Sequence, residues 1–366
     1  MIGILTFQKT TNYGALLQMW ALYKKIEELG YDSEIIQYKN EAVENREEMF
    51  ILKDLSFKKL AKFLLIGYSN YRKHKIFDAF IEREIKMSKE KFDKTNISMI
   101  NNIYEKIIVG SDQVWNYSLS GNDFNYFLQF IESDEKINSY AASFGVSSIE
   151  NYPNLNEISE QLKRFNNIST RELEGRDIIK LSSGVEAEVV LDPTFLISKE
   201  DWSEFADGSN LNLQNEKYIL LYLIQDRKNT LREVKKFAKK NNLKIKYINI
   251  SPYRERGIEN IRTASPEDFI NLISNAELIL TGSYHGIVLS LNLNKNLAIQ
   301  TNINKLNYNS RINTIISTFK LEKHLYTGNF ETIFDIDYEN FNQILLNEKK
   351  KSINFLENIL NENFNY

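Results

Sequence analysis

The chain has 366 residues, 42% of them hydrophobic, which allows two domains, or one large one, with a sizeable core. Its 46 lysines and arginines nearly balance 49 aspartates and glutamates, so no basic excess points to nucleic acid, and there is no acidic tail. The lack of cysteine excludes disulfides and thiolate metal sites, and no run of about 18 apolar residues is present to span a bilayer.

Residues 2–7 read as a first core strand rather than a leader, because a basic n-region and a cleavage site are missing. A soluble cytoplasmic protein is expected. A polar loop leads to a helix over 14–29, with Leu16, Met19, Trp20, Tyr23, Ile26 and Leu29 at helical spacing and Gly30 closing it. Residues 34–38 form the next strand. Residues 41–95 are charged and helix-like without a strand signal, and read as a helical insertion with residues 60–66 as its apolar face. That insertion is either scaffold or a lid or acceptor-binding element. Strand signals return at 106–109 and 136–142, separated by a polar turn at Gly110, Ser111, Asp112 and Gln113. Residues 158–165 look helical, another helix opens at Thr170, and a strand over 189–191 ends in Asp192-Pro193, a boundary signal.

A second set follows. Strands are predicted at 218–224, 244–248, 278–280 and 297–300, with helices at 229–240 and 266–274. Ser265 caps the latter and Pro266 suits its first position. After Gly282 a further helix starts near Ser283, and 309–318 and 338–362 read as terminal helices. Strands thus alternate with helices twice. This predicts two Rossmann-like, doubly wound parallel-sheet domains facing a cleft, over 1–195 and 196–335, with 336–366 as a helix packing back on the first.

Four loops stand out. Asn12-Tyr13-Gly14-Ala15 reads as an anion-binding nest or an ordinary helix cap. Gly110-Ser111-Asp112-Gln113-Val114-Trp115-Asn116 suits sugar recognition, or is a turn around a buried Trp. In Ser169-Thr170-Arg171-Glu172, an arginine at a helix start opposes the dipole, which suggests an anion clamp; the bland reading is a surface salt bridge with Glu172. Thr281-Gly282-Ser283-Tyr284-His285-Gly286 places a histidine in the first turn of a helix, beside unpaired amides that attract anions. Alone, a core or capping histidine is the favoured reading. His74 and His324 read as solvated, and scattered histidines make no metal cluster. Arg227, just past a strand, is better placed to reach an anion than Arg254 or Arg256.

In order and spacing these loops, with Leu191-Asp192-Pro193-Thr194, resemble the polysaccharide pyruvyl transferase family over roughly residues 3–320. The resemblance implies two halves arranged as in GT-B glycosyltransferases. It implies transfer of a pyruvyl unit from phosphoenolpyruvate to a hexose of a cell-surface glycan or its lipid-linked precursor, with no metal or organic cofactor. A lipid-linked acceptor would bring the enzyme to the inner face of the membrane. His285 falls on the family's histidine, a general acid, and Arg171 on an arginine contacting the anion. Many members carry arginine at the position of Ser283, so Arg171, Arg227, Arg254, Arg256 or Arg311 would have to supply that charge. From residue type, Asp112 is expected to orient or deprotonate the sugar hydroxyl and Trp115 to stack on the sugar. Asn12, Tyr13, Gly14, Gly110, Ser111, Gln113, Ser283 and Gly286 complete the predicted site. A nucleotide-sugar glycosyltransferase and an inactive sugar- or phosphate-binding relative are the competing readings.

Overall fold

A computed structural model describes residues 1–48, 68–223, 227–249, 254–301, 310–330, 333 and 335–361. The apolar face predicted at residues 60–66 lies outside them. Among these described residues, twelve strands form two sheets. The first contains β1 (Ile2–Leu5), β2 (Ser33–Tyr38), β3 (Met87–Phe92), β4 (Lys106–Asp112), β5 (Ile137–Ala142), β6 (Ser169–Thr170) and β7 (Glu188–Val189), in the order β3-β2-β1-β4-β5-β6-β7. The second contains β8 (Tyr218–Tyr222), β9 (Lys244–Ile248), β10 (Glu259–Ile261), β11 (Leu278–Thr281) and β12 (Leu297–Ile299), in the order β10-β9-β8-β11-β12. Every pairing is parallel. Strands β1, β8 and β11 are buried along their whole length and almost wholly apolar, as a parallel sheet covered on both faces requires.

The helical insertion needs correction. Its segment holds helices Glu41–Glu48 and Tyr68–Glu84, but also β3, which pairs with β2 at the edge of the first sheet. Ser88 and Phe92 are buried while Lys89, Glu90 and Lys91 are exposed, so this edge strand reads as polar sequence. The short strand β10, at the edge of the second sheet, was likewise invisible to the pattern.

The Tyr13–Glu28 helix is buried on more than the single face its periodicity shows, with Tyr13, Leu17, Met19 and Leu22 all enclosed. It lies between the two sheets, and Trp20 packs on Trp202 at 5.2 Å. One continuous apolar core runs from Ile4 and Leu16 through Trp202 and Phe269 to Ile287. The terminal helix, Tyr338–Asn361, packs Phe341 on Phe319 at 4.7 Å. It also receives hydrogen bonds from the first half. Lys106 Nζ donates to the carbonyl of Leu360 (3.2 Å), and the Leu191 amide donates to Ser352 Oγ (2.9 Å). No described helix is long and apolar enough to cross a membrane.

Candidate active site

In each sheet the strand order reverses beside the first strand, between β1 and β4 and between β8 and β11. Ligands of open α/β sheets bind outside the carboxyl ends of strands at such points. β1 feeds the Tyr13–Glu28 helix and β11 feeds the Tyr284–Asn292 helix, so both helices start at those ends. Their first turns meet. A Cβ on Gly14 would lie 2.1 Å from His285 Nδ1, so only glycine lets the imidazole sit against the first helix. Asn12 caps one helix, accepting from the Gly14 amide at 2.9 Å, and Ser283 caps the other, accepting from Gly286 at 3.4 Å.

The other nitrogen of His285 faces an arginine and a carboxylate. Nε2 lies 3.4 Å from Arg171 NH1 and 3.4 Å from Asp192 Oδ2. A guanidinium only donates and a carboxylate only accepts, so Nε2 accepts from Arg171 in one tautomer or donates to Asp192 in the other. Arg171 is closed in by carboxylates: NH1 donates to Asp192 Oδ2 (2.7 Å) and NH2 to Asp112 Oδ1 (3.3 Å). Asp192 is wholly buried, and Thr194 fixes its second oxygen through backbone and hydroxyl. Burial alone would raise its carboxyl, but His285 and Arg171 outweigh that and hold it well below the usual range. Arg171 behaves in reverse. Burial opposes its charge, and Asp192 with Asp112 raises it above the ordinary value.

Arg171 also lies over the Tyr284 ring at 4.4 Å, and Arg311, in the first turn of the Ser310–Phe319 helix, lies against the same ring at 5.5 Å. Glu172 is fully buried behind them. Its Oε1 accepts from Ser143 Oγ and from the amides of Phe144 and Gly145 at 2.8–3.2 Å, while Oε2 has no partner among the described residues.

The structure therefore brings Gly14, Asp112, Arg171, His285 and Arg311 together. Ser111 supports them from below, donating to Gln18 Oε1 (2.6 Å) while its carbonyl accepts from Thr6. Gly110 has φ 113°, and a Cβ there would strike the Tyr140 carbonyl at 2.4 Å, so glycine is needed for the strand to pass. Gln113 lies over Gly145, and a Cβ on Gly286 would meet Thr281 Oγ1 at 2.6 Å. Tyr13 is committed to the junction of the halves. Its hydroxyl donates to the Ala264 carbonyl (2.8 Å) and its ring stacks on Phe269 at 4.5 Å.

Several expectations are corrected. Trp115 is 1% exposed, stacked on Phe127 at 5.7 Å with its N–H donated to the Tyr126 carbonyl, so it has no free face for a sugar. Arg171 does not open a helix. It follows β6, and the helix is Leu173–Ser183 with Glu172 as its cap. Nor is it in a surface pair with Glu172, since both are buried and its partners are Asp112 and Asp192. His324 is buried, not solvated. Arg254 and Arg256 are exposed, and the Arg227 side chain lies outside the described residues. Sequence reasoning missed Asp192 as a site residue, reading Asp192-Pro193 as a boundary and as part of a family-like stretch without giving it a role. An aspartate directly before a proline is also the pattern of a helix cap with Pro at the first position, which is how it sits.

Gly14→Ala should displace the His285 ring while keeping the helix, since alanine favours helix. Misplacing a reacting group by about 1 Å costs on the order of 100-fold in turnover. We expect a loss of that size with an unchanged circular dichroism spectrum, and parental turnover in this variant would show that the contact is irrelevant.

Two parallel α/β halves meeting at their switch points, with a buried His–Arg–Asp cluster where they meet, define a GT-B-like enzyme architecture. The chain belongs to the polysaccharide pyruvyl transferase family, whose signature matches residues 12–298. No curated protein sequence matches it. Similar solved structures include UDP-GlcNAc 2-epimerase from Neisseria meningitidis bound to UDP-GlcNAc, at 11% identity and TM-score 0.51, covering 98% of this chain and 99% of that one. The MnaA–UDP structure from S. aureus is 13% identical at TM-score 0.51, covering 99% of this chain and 96% of that one. The wall teichoic acid polymerase TagF is 10% identical at TM-score 0.50, covering 98% of this chain and 88% of that one. At such identities the likeness concerns the fold.

Proposed function

We propose that the protein transfers a pyruvyl unit from phosphoenolpyruvate to a hexose of a cell-surface polysaccharide or its lipid-linked precursor. The observation that carries this reading is His285, held between two helix N-termini and against Arg171 and Asp192 in a chain of the pyruvyl transferase family. Protonation of the donor's methylene carbon turns the enol ester into an oxocarbenium-like centre at the adjacent carbon. One sugar hydroxyl attacks that carbon, phosphate departs, and a second hydroxyl closes the cyclic ketal. His285 supplies the proton to carbon, and the Asp192–Arg171 pair holds its ring in place. Asp112, at the mouth of the cluster, accepts the proton of the attacking hydroxyl. Trp115 takes no part in sugar stacking. A lipid-linked acceptor would place the enzyme at the inner face of the membrane.

The test is a thermal-shift titration of the protein with phosphoenolpyruvate beside UDP- and GDP-sugars. A ligand at about 100 times its Kd stabilises by about 2.7 kcal/mol. A rise with phosphoenolpyruvate supports pyruvyl transfer, whereas a rise confined to a nucleotide sugar would replace it with glycosyl transfer.

A further inference from the structure

The two arginines at the Tyr284 ring differ in one respect. Arg171 gives both terminal nitrogens to carboxylates. Arg311 makes no ion pair or hydrogen bond among the described residues; its Nε, like that of Arg171, is buried without a partner. Asp112 and Glu172 are near enough to favour its charge, yet neither bonds to it. Burial and the neighbouring Arg171 charge both work against ionisation and lower its pKa. An arginine keeps its charge under such pressure, so a half-buried guanidinium without a counter-ion is unfavourable until an anion arrives. Its position is also suitable. Tyr284, against which it rests, is the residue before His285, and the Tyr284 and His285 rings are 5.1 Å apart.

We propose that Arg311, rather than Arg171, is the guanidinium that grips the oxyanion of the donor. Arg171 is then a positioning residue that acts through Asp192 and His285. The ligand class is a small phosphate- or carboxylate-bearing molecule whose oxygens pair with the free guanidinium fork. That the molecule is phosphoenolpyruvate rests on the function proposed above; that an anion binds at Arg311 does not. Arg311 lies beyond residues 12–298, the part matched by the family signature, so this contact belongs to a region that the signature leaves undescribed.

The test is calorimetric titration of the full chain and of its Arg311→Gln and Arg311→Lys variants with phosphoenolpyruvate, inorganic phosphate and pyruvate. Losing a charge-assisted hydrogen-bonded contact should weaken phosphoenolpyruvate binding by about 30-fold in Arg311→Gln. Lysine restores part of the affinity, because it keeps the charge but lacks the fork. Weakening with phosphate assigns the contact to the phosphoryl group, and weakening with pyruvate assigns it to the carboxylate. Without ligand, Arg311→Gln should melt no lower than the parent, since it removes an unpaired charge rather than a structural bond; a structural arginine would not behave so. Equal phosphoenolpyruvate affinity in parent and Arg311→Gln overturns the inference and leaves the donor assignment standing. Arg311-dependent phosphate binding without phosphoenolpyruvate binding upholds the inference and removes that donor. A parent that binds none of the three anions overturns the inference.

Discussion

Arg171→Met should destabilise the protein by about 3–5 kcal/mol at pH 7, the usual cost of breaking a buried ion pair by deleting one partner. The cause is Asp192, whose carboxylate is wholly buried and would lose its 2.7 Å guanidinium donor. In the parent, Asp192 has a depressed carboxyl pKa, so its contribution is present above the unfolded value and is lost only as pH falls through the lower folded value. In the variant, Asp192 keeps His285 and Thr194 but loses the guanidinium, so its carboxyl shifts upward from the parent's value and the cost of the lost pair, full at neutral pH, fades as the group takes a proton. The gap in melting temperature between parent and variant should therefore narrow as the pH is lowered from about 7 to about 4. Adding Asp192→Asn should recover part of the loss, because the stranded charge is then gone. Urea denaturation of the parent, the single variants and the double variant reads this directly. Strictly additive costs would mean that Arg171 and Asp192 do not act as a pair.

His285→Gln should lower pyruvyl transfer by about 100- to 10,000-fold, the range typical of a positioned general acid, while phosphoenolpyruvate binding stays within a few-fold. Glutamine keeps an amide near Asp192, so the surrounding packing and the melting temperature should hardly change. In heavy water the parent should place one solvent deuteron in the methyl group of the pyruvyl product, because the donor's methylene carbon is where the proton arrives. Mass spectrometry of the product and steady-state phosphate release supply the two readouts. Near-parental turnover of His285→Gln would remove the general-acid role and leave the histidine as a packing partner of Gly14.

Much of this architecture is legible in the sequence. Apolar strands such as Ile219–Leu221 and Leu278–Leu280 are buried on both faces, and that demand is written in composition. Helix starts at Ser265-Pro266 and Ser283 use side-chain caps that act within a few residues of their own position. The edge strands β3 and β10 were not legible, because a strand paired on one side and half covered has no need of continuous apolar sequence.

The same division runs through the site. The sequence by itself determined the two α/β halves, the ordered loops that identify the family, and His285 in the first turn of a helix; each depends on contacts within one short segment. Only the tertiary structure decided that Gly14 abuts His285, that Arg171 is neutralised by Asp112 and Asp192, that Trp115 is sealed in the core, and that Arg311 meets no carboxylate among the described residues. The physical reason is that charge compensation and burial are properties of neighbours in space. Residues 112, 171, 192, 285 and 311 come from separate elements of both halves, and no local pattern records which carboxylate will face which arginine once the sheets meet.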